Sequence, residues 1–460
     1  MPGVRCRFPN LYGSKIVMLL CLLASHALAE TRGIWLTTTG TNQIASPENT
    51  AATMKKISDI GLNTVYVEVW KLGYTEFPSD VAKKYSGVSM KVNGPLQRDL
   101  LQETLIEAHR NRLIHIAWFE YGFMAAYSKY PNELSRRKDW LSLNQNGETV
   151  AKNGYIWLNP VHPDAQDLLL GIILEAVRKY DIDGIQLDDR LVWPGLEMGY
   201  DKFTRDLYKK ETGKDLPSDY EDASFVQWRM NKITAFSKRL TRAVKAANPN
   251  IILSLAPGVY PWARDSYMCD WVSWNKWTDA PQWDENVVQA YTPDFASFKK
   301  TWDNQIQHFT DSRADISAGI RLYSGSLGNA APGDAKLITE YVKKTSGGFS
   351  GHSFWYGPAA TGQFSSELSS MYSAAGRTSH SKRPSGYRPA PIVGKSTDKI
   401  AWNFASVPAG QYRIIAKRGG RWSELKSQKF DGKTVSVKLD SAADQVELLV
   451  DRRAKPPASS

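Results

Sequence analysis

The chain has 460 residues, 42% of them hydrophobic, and a formal net charge of +11. It is too long for one ordinary domain and has room for a barrel of the usual roughly 250 residues plus an accessory module. The basic balance suits a polyanionic surrounding such as an anionic envelope polymer, while the lack of a dense Lys/Arg run argues against nucleic acid as a partner.

Residues 1–29 combine a basic start (Arg5, Arg7, Lys15), an apolar run from Ile16 to Ala24 and the small-residue ending Ala27-Leu28-Ala29. This pattern predicts a secretory signal peptide cleaved before Glu30, and hence a periplasmic or secreted protein. Leu19 and Leu20 ahead of Cys21 do not suit a lipidated cysteine. Removal of the segment takes Cys6 and Cys21 with it, so Cys269 is left alone and no intramolecular disulfide is expected. No later stretch has the roughly 18 consecutive apolar residues of a membrane helix, so no transmembrane anchor is expected after cleavage.

Over residues 30–375, short β-rich runs alternate with amphipathic helical stretches, the pattern of an α/β fold with a parallel sheet. The runs are Arg32 to Thr37, Thr64 to Trp70, Ile114 to Tyr121, Gly184 to Asp189, Ile252 to Pro257, Val287 to Thr292, Ala318 to Tyr323 and Gly351 to Tyr356. Helices are expected between them, notably at Gln97 to Asn111, Pro163 to Tyr180 and Phe225 to Ala247. Eight such units favour a (β/α)8 TIM barrel over an open sheet. No G-x-G-x-x-G or Walker motif follows the first run, and no cofactor is expected. Residues 376–398, rich in Ser, Pro, Arg and Gly, read as a linker. Residues 399–454 alternate apolar and polar positions between turn signals, which predicts a small all-β sandwich of immunoglobulin or fibronectin type. The tail at 455–460 is expected to be disordered.

Strand alternation turns the runs into a candidate site, because residues two apart share a face and the helix-covered face must be apolar. On the fourth run Ile185 and Leu187 take the helix side, so Gln186 and Asp188 point to the barrel axis and Asp189 sits at the turn. The same parity sends Glu68 and Trp70 inward on the second run, Gln289 and Tyr291 on the sixth, and Arg321 and Tyr323 on the seventh. Trp118 and Glu120 end the third run and Trp355 the eighth. Carboxylates among aromatic side chains at the C-terminal ends of barrel strands suit glycoside hydrolysis, with Asp188 as the favoured general acid and Glu120 or Asp189 as its partner. Asn159, Arg190 and the inward residues above are expected to hold the sugar. For most of the 16 tryptophans, core packing is the expected role, and the same holds for Trp402 and Trp422 in the C-terminal module.

Other chemistries fit less well. Among the seven histidines, His26 and His380 fall outside the expected barrel, and the others show no zinc-binding spacing. No metal site is expected, which disfavours a polysaccharide deacetylase. There is no G-x-S-x-G elbow, and Cys269 lacks an evident base.

The chain resembles the bacterial glycoside-hydrolase-like family ten, formerly a domain of unknown function. The resemblance rests on Arg32-Gly33-Ile34-Trp35, Asn63-Thr64-Val65-Tyr66, His115-Ile116-Ala117-Trp118-Phe119-Glu120, Trp157-Leu158-Asn159-Pro160 and Asp183-Gly184-Ile185-Gln186-Leu187-Asp188-Asp189. It covers roughly Thr31 to Pro358. It implies a TIM barrel related to enzymes acting on N-acetylhexosamine polymers, with Asp188 and Asp189 matching the family's aspartate pair and Glu120 at a matching strand end. Many members carry Asn-Pro where this chain has Glu120-Tyr121, and an aromatic residue where it has Arg190. The resulting expectation is an exported hydrolase of an acetamido-sugar envelope glycan, with peptidoglycan strands first and poly-N-acetylglucosamine second. The alternative is a catalytically silent glycan-binding scaffold that meets an envelope protein partner through its C-terminal module.

Overall fold

A computed structural model describes residues 30–91, 98–309, 315–322, 334–345, 351–373, 380, 382 and 391–453. The segment read as a signal peptide, the tail at 455–460 and most of the linker lie outside the described residues. Eight strands, β1 (Arg32–Leu36), β2 (Thr64–Glu68), β3 (Ile114–Trp118), β4 (Gly184–Asp188), β5 (Ile252–Ala256), β6 (Glu285–Gln289), β7 (Asp315–Arg321) and β8 (Gly351–Trp355), close into one barrel. Neighbours are parallel throughout, and β8 pairs back onto β1. Each strand is one of the eight expected runs. β6 and β7 begin ahead of their expected starts, each opening on an acidic residue, Glu285 and Asp315.

Side-chain parity sorts the apolar residues into two cores. Val65, Val67, Ile185 and Leu187 pack outward beneath the helices, while Trp35, Tyr66, Ile116, Trp118 and Val287 fill the barrel interior. The interior is tight: a Cβ on Gly33 would lie 2.2 Å from Ser353 Oγ and 2.6 Å from the Tyr66 ring. The covering helices are set by local signals. In Pro47–Ile60, the Ser46 side chain accepts from Asn49 N–H, Pro47 opens the first turn and Gly61 closes the helix at φ 101°.

The N-terminal end of the barrel is sealed by a buried polar group. Tyr66 Oη donates to Glu285 Oε1 at 3.0 Å, and His380 Nε2 lies 3.1 Å from Glu285 Oε2 with both side chains fully buried. This corrects the reading of His380 as lying outside the barrel. It reaches back from beyond the last barrel helix and sets its ring against the Glu285 oxygen that Tyr66 leaves open.

Seven short strands follow. β9 (Ile392–Val393), β12 (Gly410–Arg418), β13 (Arg421–Phe430) and β15 (Gln445–Val450) form one antiparallel sheet, and β10 (Lys395–Ser396), β11 (Ala401–Val407) and β14 (Lys433–Lys438) form a second. Trp402, Phe404, Ile414, Phe430 and Leu448 share the core of this all-β module. Trp422 instead packs with Ile415 and Leu449 against Ile106 of the barrel helix Leu100–Arg110, with the Arg110 guanidinium 4.2 Å above its ring. Both tryptophans are therefore packing residues, as expected.

A charged network joins the two parts. Arg413 is fully buried and its Nε lies 3.2 Å from Asp181 Oδ2, while another nitrogen contacts His109 Nδ1. His109 Nε2 is 2.8 Å from Asp183 Oδ2, and Asp183 immediately precedes β4. Arg110 adds an exterior bond, its Nε donating to Glu447 Oε2 at 2.8 Å. Removing one member of a buried ionic network typically costs about 3–5 kcal/mol. Arg413→Ala is therefore expected to lower stability to denaturant by about that much, with barrel and module melting in one transition in the parent protein. A change under about 1 kcal/mol, the range of a surface pair, contradicts the clamp.

Candidate active site

The C-terminal ends of β3 and β4 converge on one guanidinium. Arg190 Nη1 lies 2.8 Å from Asp188 Oδ1, 3.1 Å from Asp189 Oδ1 and 3.6 Å from Glu120 Oε1. Asp188 also accepts from Trp118 Nε1 at 3.1 Å. Behind Glu120 lies a second cation: Lys71 Nζ is 2.7 Å from Glu68 Oε2 and 3.9 Å from Glu120 Oε2. The Thr37 and Thr38 hydroxyls both donate to Glu68, the latter at 2.8 Å. Gly122 makes the arrangement possible. At φ 45° it lays the loop after β3 against the loop after β4, and a Cβ there would lie 2.3 Å from the Arg190 carbonyl oxygen.

Four carboxylates face two cations, and the members of each carboxyl pair are shifted in opposite directions. Burial, reinforced by the Glu68 charge, pushes the Glu120 carboxyl up to about 8. Burial and the neighbouring Asp189 charge, against the pull of Arg190, push Asp188 well above the usual range. Burial works the same way on Glu68 and Asp189, but both stay below it: Lys71 and hydrogen bonds from Glu120 and Thr37 hold Glu68 down, and Arg190 with hydrogen bonds from Asp188 and Gln289 does so for Asp189. Within each pair one carboxyl is pushed up and the other held down, which places the proton-holding member at Glu120 in one pair and at Asp188 in the other.

Accessibility separates the members. The Asp188 side chain is 3% exposed and that of Asp189 is 31%. Asp189 and Arg190 line a cavity of about 160 Å³, together with Tyr155, Trp157, Trp262 and Tyr267. Its walls come from the antiparallel ribbon of Met124–Tyr127 with Tyr155–Trp157 and from the loop after β5. Buried Cys269 also lines it, its thiol pushed far up by burial first and by the Asp270 and Asp189 charges next.

The structure thus brings Asp188, Asp189, Glu120, Glu68, Trp118 and Arg190 together. Gln289 joins them, donating to the Ala256 carbonyl at 2.8 Å beside Asp189. Half-buried Trp355 stands edge-on to Trp118 at 6.0 Å, in register with Arg321 on β7. Tyr291 lies two residues past the end of β6 and is half-buried, and Tyr323 lies outside the described residues. Four expected sugar contacts are corrected: Glu68 is fully buried and accepts from Lys71, Thr37 and Thr38, and three others are taken up elsewhere. Trp70 is 1% exposed and donates to the Gly122 carbonyl at 3.0 Å, because β2 ends at Glu68 and the ribbon that begins at Trp70 breaks the parity. Gln186 is fully buried between Trp35 Nε1 at 2.7 Å and Ser254 Oγ at 2.8 Å, deep in the barrel. Asn159 is fully buried and donates to Asp201 and Thr204, anchoring a loop. Sequence reasoning missed Lys71, Tyr155, Trp262 and Tyr267, which sit in ribbons and loops without a strand period to place them.

A closed parallel barrel with carboxylates paired at the C-terminal ends of its strands has the build of a glycoside hydrolase. The family described as glycosyl hydrolase-like 10 matches residues 30–342, and the chain belongs to it. Among curated relatives, the glycosyl hydrolase DigH of Escherichia coli K12 is 23% identical over 333 residues, covering 64% of this chain and 73% of that protein. The glycosyl hydrolase YngK of Bacillus subtilis is 26% identical over 219 residues, 45% of this chain and 39% of that one. Of the solved structures, the PgaB (BpsB) glycoside hydrolase domain from Bordetella bronchiseptica superposes with a TM-score of 0.56 at 13% identity, over 75% of this chain and 98% of that domain. At that identity the likeness is one of fold.

The raised Glu120 carboxyl has a consequence for stability. With an ordinary value of 4.5 and a folded value of about 8, the native protein keeps a proton that the unfolded chain releases. Its contribution is complete below 4.5 and is lost as pH rises towards about 8. Glu120→Gln is expected to flatten the fall in Tm across that window, measured by thermal melts at stepped pH. An unchanged slope contradicts the shared proton.

Proposed function

We propose that the protein is an exported glycoside hydrolase that cleaves an N-acetylhexosamine-containing envelope glycan, with peptidoglycan glycan strands as substrate. The observation that carries this reading is the carboxyl pair Asp188 and Asp189 held on one Arg190 nitrogen, of which only Asp189 opens into an aromatic-walled cavity. Asp189 is the group within reach of a sugar, so proton donation runs through it, and Asp188, first expected to be the acid, stands behind it as the proton's other seat.

Asp189 is the only carboxylate among the described residues lining that cavity. A reaction with a single acid pair is chemically complete if the substrate supplies its own nucleophile, as a 2-acetamido sugar does. The Asp188/Asp189 pair gives its proton to the glycosidic oxygen, the bond from that oxygen to the anomeric carbon breaks, and the leaving strand departs as an alcohol. The acetamido oxygen closes on the anomeric carbon, with ionised Asp189 beside the cationic ring. Water then opens that ring, and its proton returns to the carboxyl pair. Arg190 holds the pair together, and Glu120 meets Arg190 from behind. Export is supported by the N-terminal residues 1–29.

Mass spectrometry of purified peptidoglycan strands, with and without stem peptides, tests the reading. The protein is expected to shorten the strands, and Asp189→Asn to slow this about 10²- to 10⁴-fold, the range of a general acid. Intact strands at every pH, with cleavage of poly-N-acetylglucosamine instead, would move the substrate to that polymer. No cleavage of either would leave a glycan-binding scaffold.

A further inference from the structure

The cavity beside Asp189 does not end at the catalytic groups. Along the ribbon that forms one of its walls, tyrosine rings follow one another outward. The Tyr155 ring lines the cavity; its centroid is 5.2 Å from that of Tyr127, which is 6.0 Å from that of Tyr130. Tyr130 is 71% exposed at the ribbon's tip. On the facing wall Trp262 is 48% exposed and meets Tyr267 at 5.2 Å. Tyr130 is the most exposed large apolar side chain among the described residues, and Trp262 is the other exposed aromatic. Neither belongs to the buried core; Trp262 lines the cavity itself, and Tyr130 reaches it through Tyr127 and Tyr155.

We propose that Tyr155, Tyr127 and Tyr130, with Trp262 opposite, form a track that binds several consecutive sugar rings of a glycan chain leading away from the bond to be cut. The inference rests on the glycan-hydrolase reading and adds the length of the ligand to it. Sugar rings carry C–H bonds of partial positive character on their faces, which match the negative face of an aromatic ring. Tyrosine adds a hydroxyl at the wet edge for the hydroxyl and acetamido groups of the sugar. A ribbon tip that projects from a barrel mouth holds such rings without disturbing the core, and an antiparallel pair is stiff enough to keep them in line. The track therefore selects polymer over fragment, and affinity grows as more rings are covered.

The test uses the full-length protein with Asp189→Asn to stop turnover, titrated by calorimetry with stem-peptide-free glycan strands fractionated by length. Affinity is expected to rise with strand length. Tyr130→Ala and Trp262→Ala, both at exposed rings outside the buried core, are each expected to cut the ratio of long-strand to short-strand affinity about three- to tenfold, the worth of one aromatic contact. An unchanged ratio in both variants overturns the track. Binding that is independent of length overturns the track while leaving the hydrolase reading in place, and no binding at any length overturns both.

Discussion

The Arg190 guanidinium governs the mouth of this barrel. Three carboxylates from two strand ends lie within 3.6 Å of a single nitrogen, a cluster that like-charge repulsion would scatter without that cation and without protons to share. Arg190 is itself placed by the meeting of two loops at Gly122, where no side chain fits. Lys71 does the same service one layer deeper for Glu68 and Glu120. Two carboxyl pairs result, each with one member pushed up and one held down by its cation. An aromatic residue at position 190 would leave these acids with Lys71 alone, so this chain uses an arginine to solve a problem that its own Glu120 creates.

The rest of the molecule keeps the strand ends rigid. At the opposite end of the barrel His380 and Tyr66 flank buried Glu285. The C-terminal module drives Arg413 into the same region, and through His109 it reaches Asp183 at the start of β4, the strand that carries Asp188 at its other end. The module thus packs on the barrel as a brace, its two tryptophans spent on packing rather than offered to a ligand.

The strand order and the inward parity of Glu68, Trp118, Asp188 and Gln289 were legible in the sequence, because alternation with period two survives wherever a strand is regular and one face must be apolar. Trp70 was misread for the same reason: parity was carried past Glu68, where the barrel strand gives way to a two-residue ribbon. Gln186 was correctly turned inward, but parity does not report depth, and it lies a full step below the mouth. Asn159 shows a polar residue in a sugar-like context serving a loop. His380, Lys71 and the Tyr127/Tyr155 ribbon were invisible because they come to the site through long-range packing that no local pattern encodes.

At the centre of this picture is one proton on each carboxyl pair, and the direct observation is the infrared carbonyl band of protonated carboxyls in the resting protein at neutral pH. Two buried carboxylic acids are expected, one lost on Asp188→Asn and the other on Glu120→Gln, with Asp189→Asn shifting the first rather than removing it. A spectrum in which all four carboxyls absorb only as carboxylates would contradict the shared protons and the proton donor drawn from them.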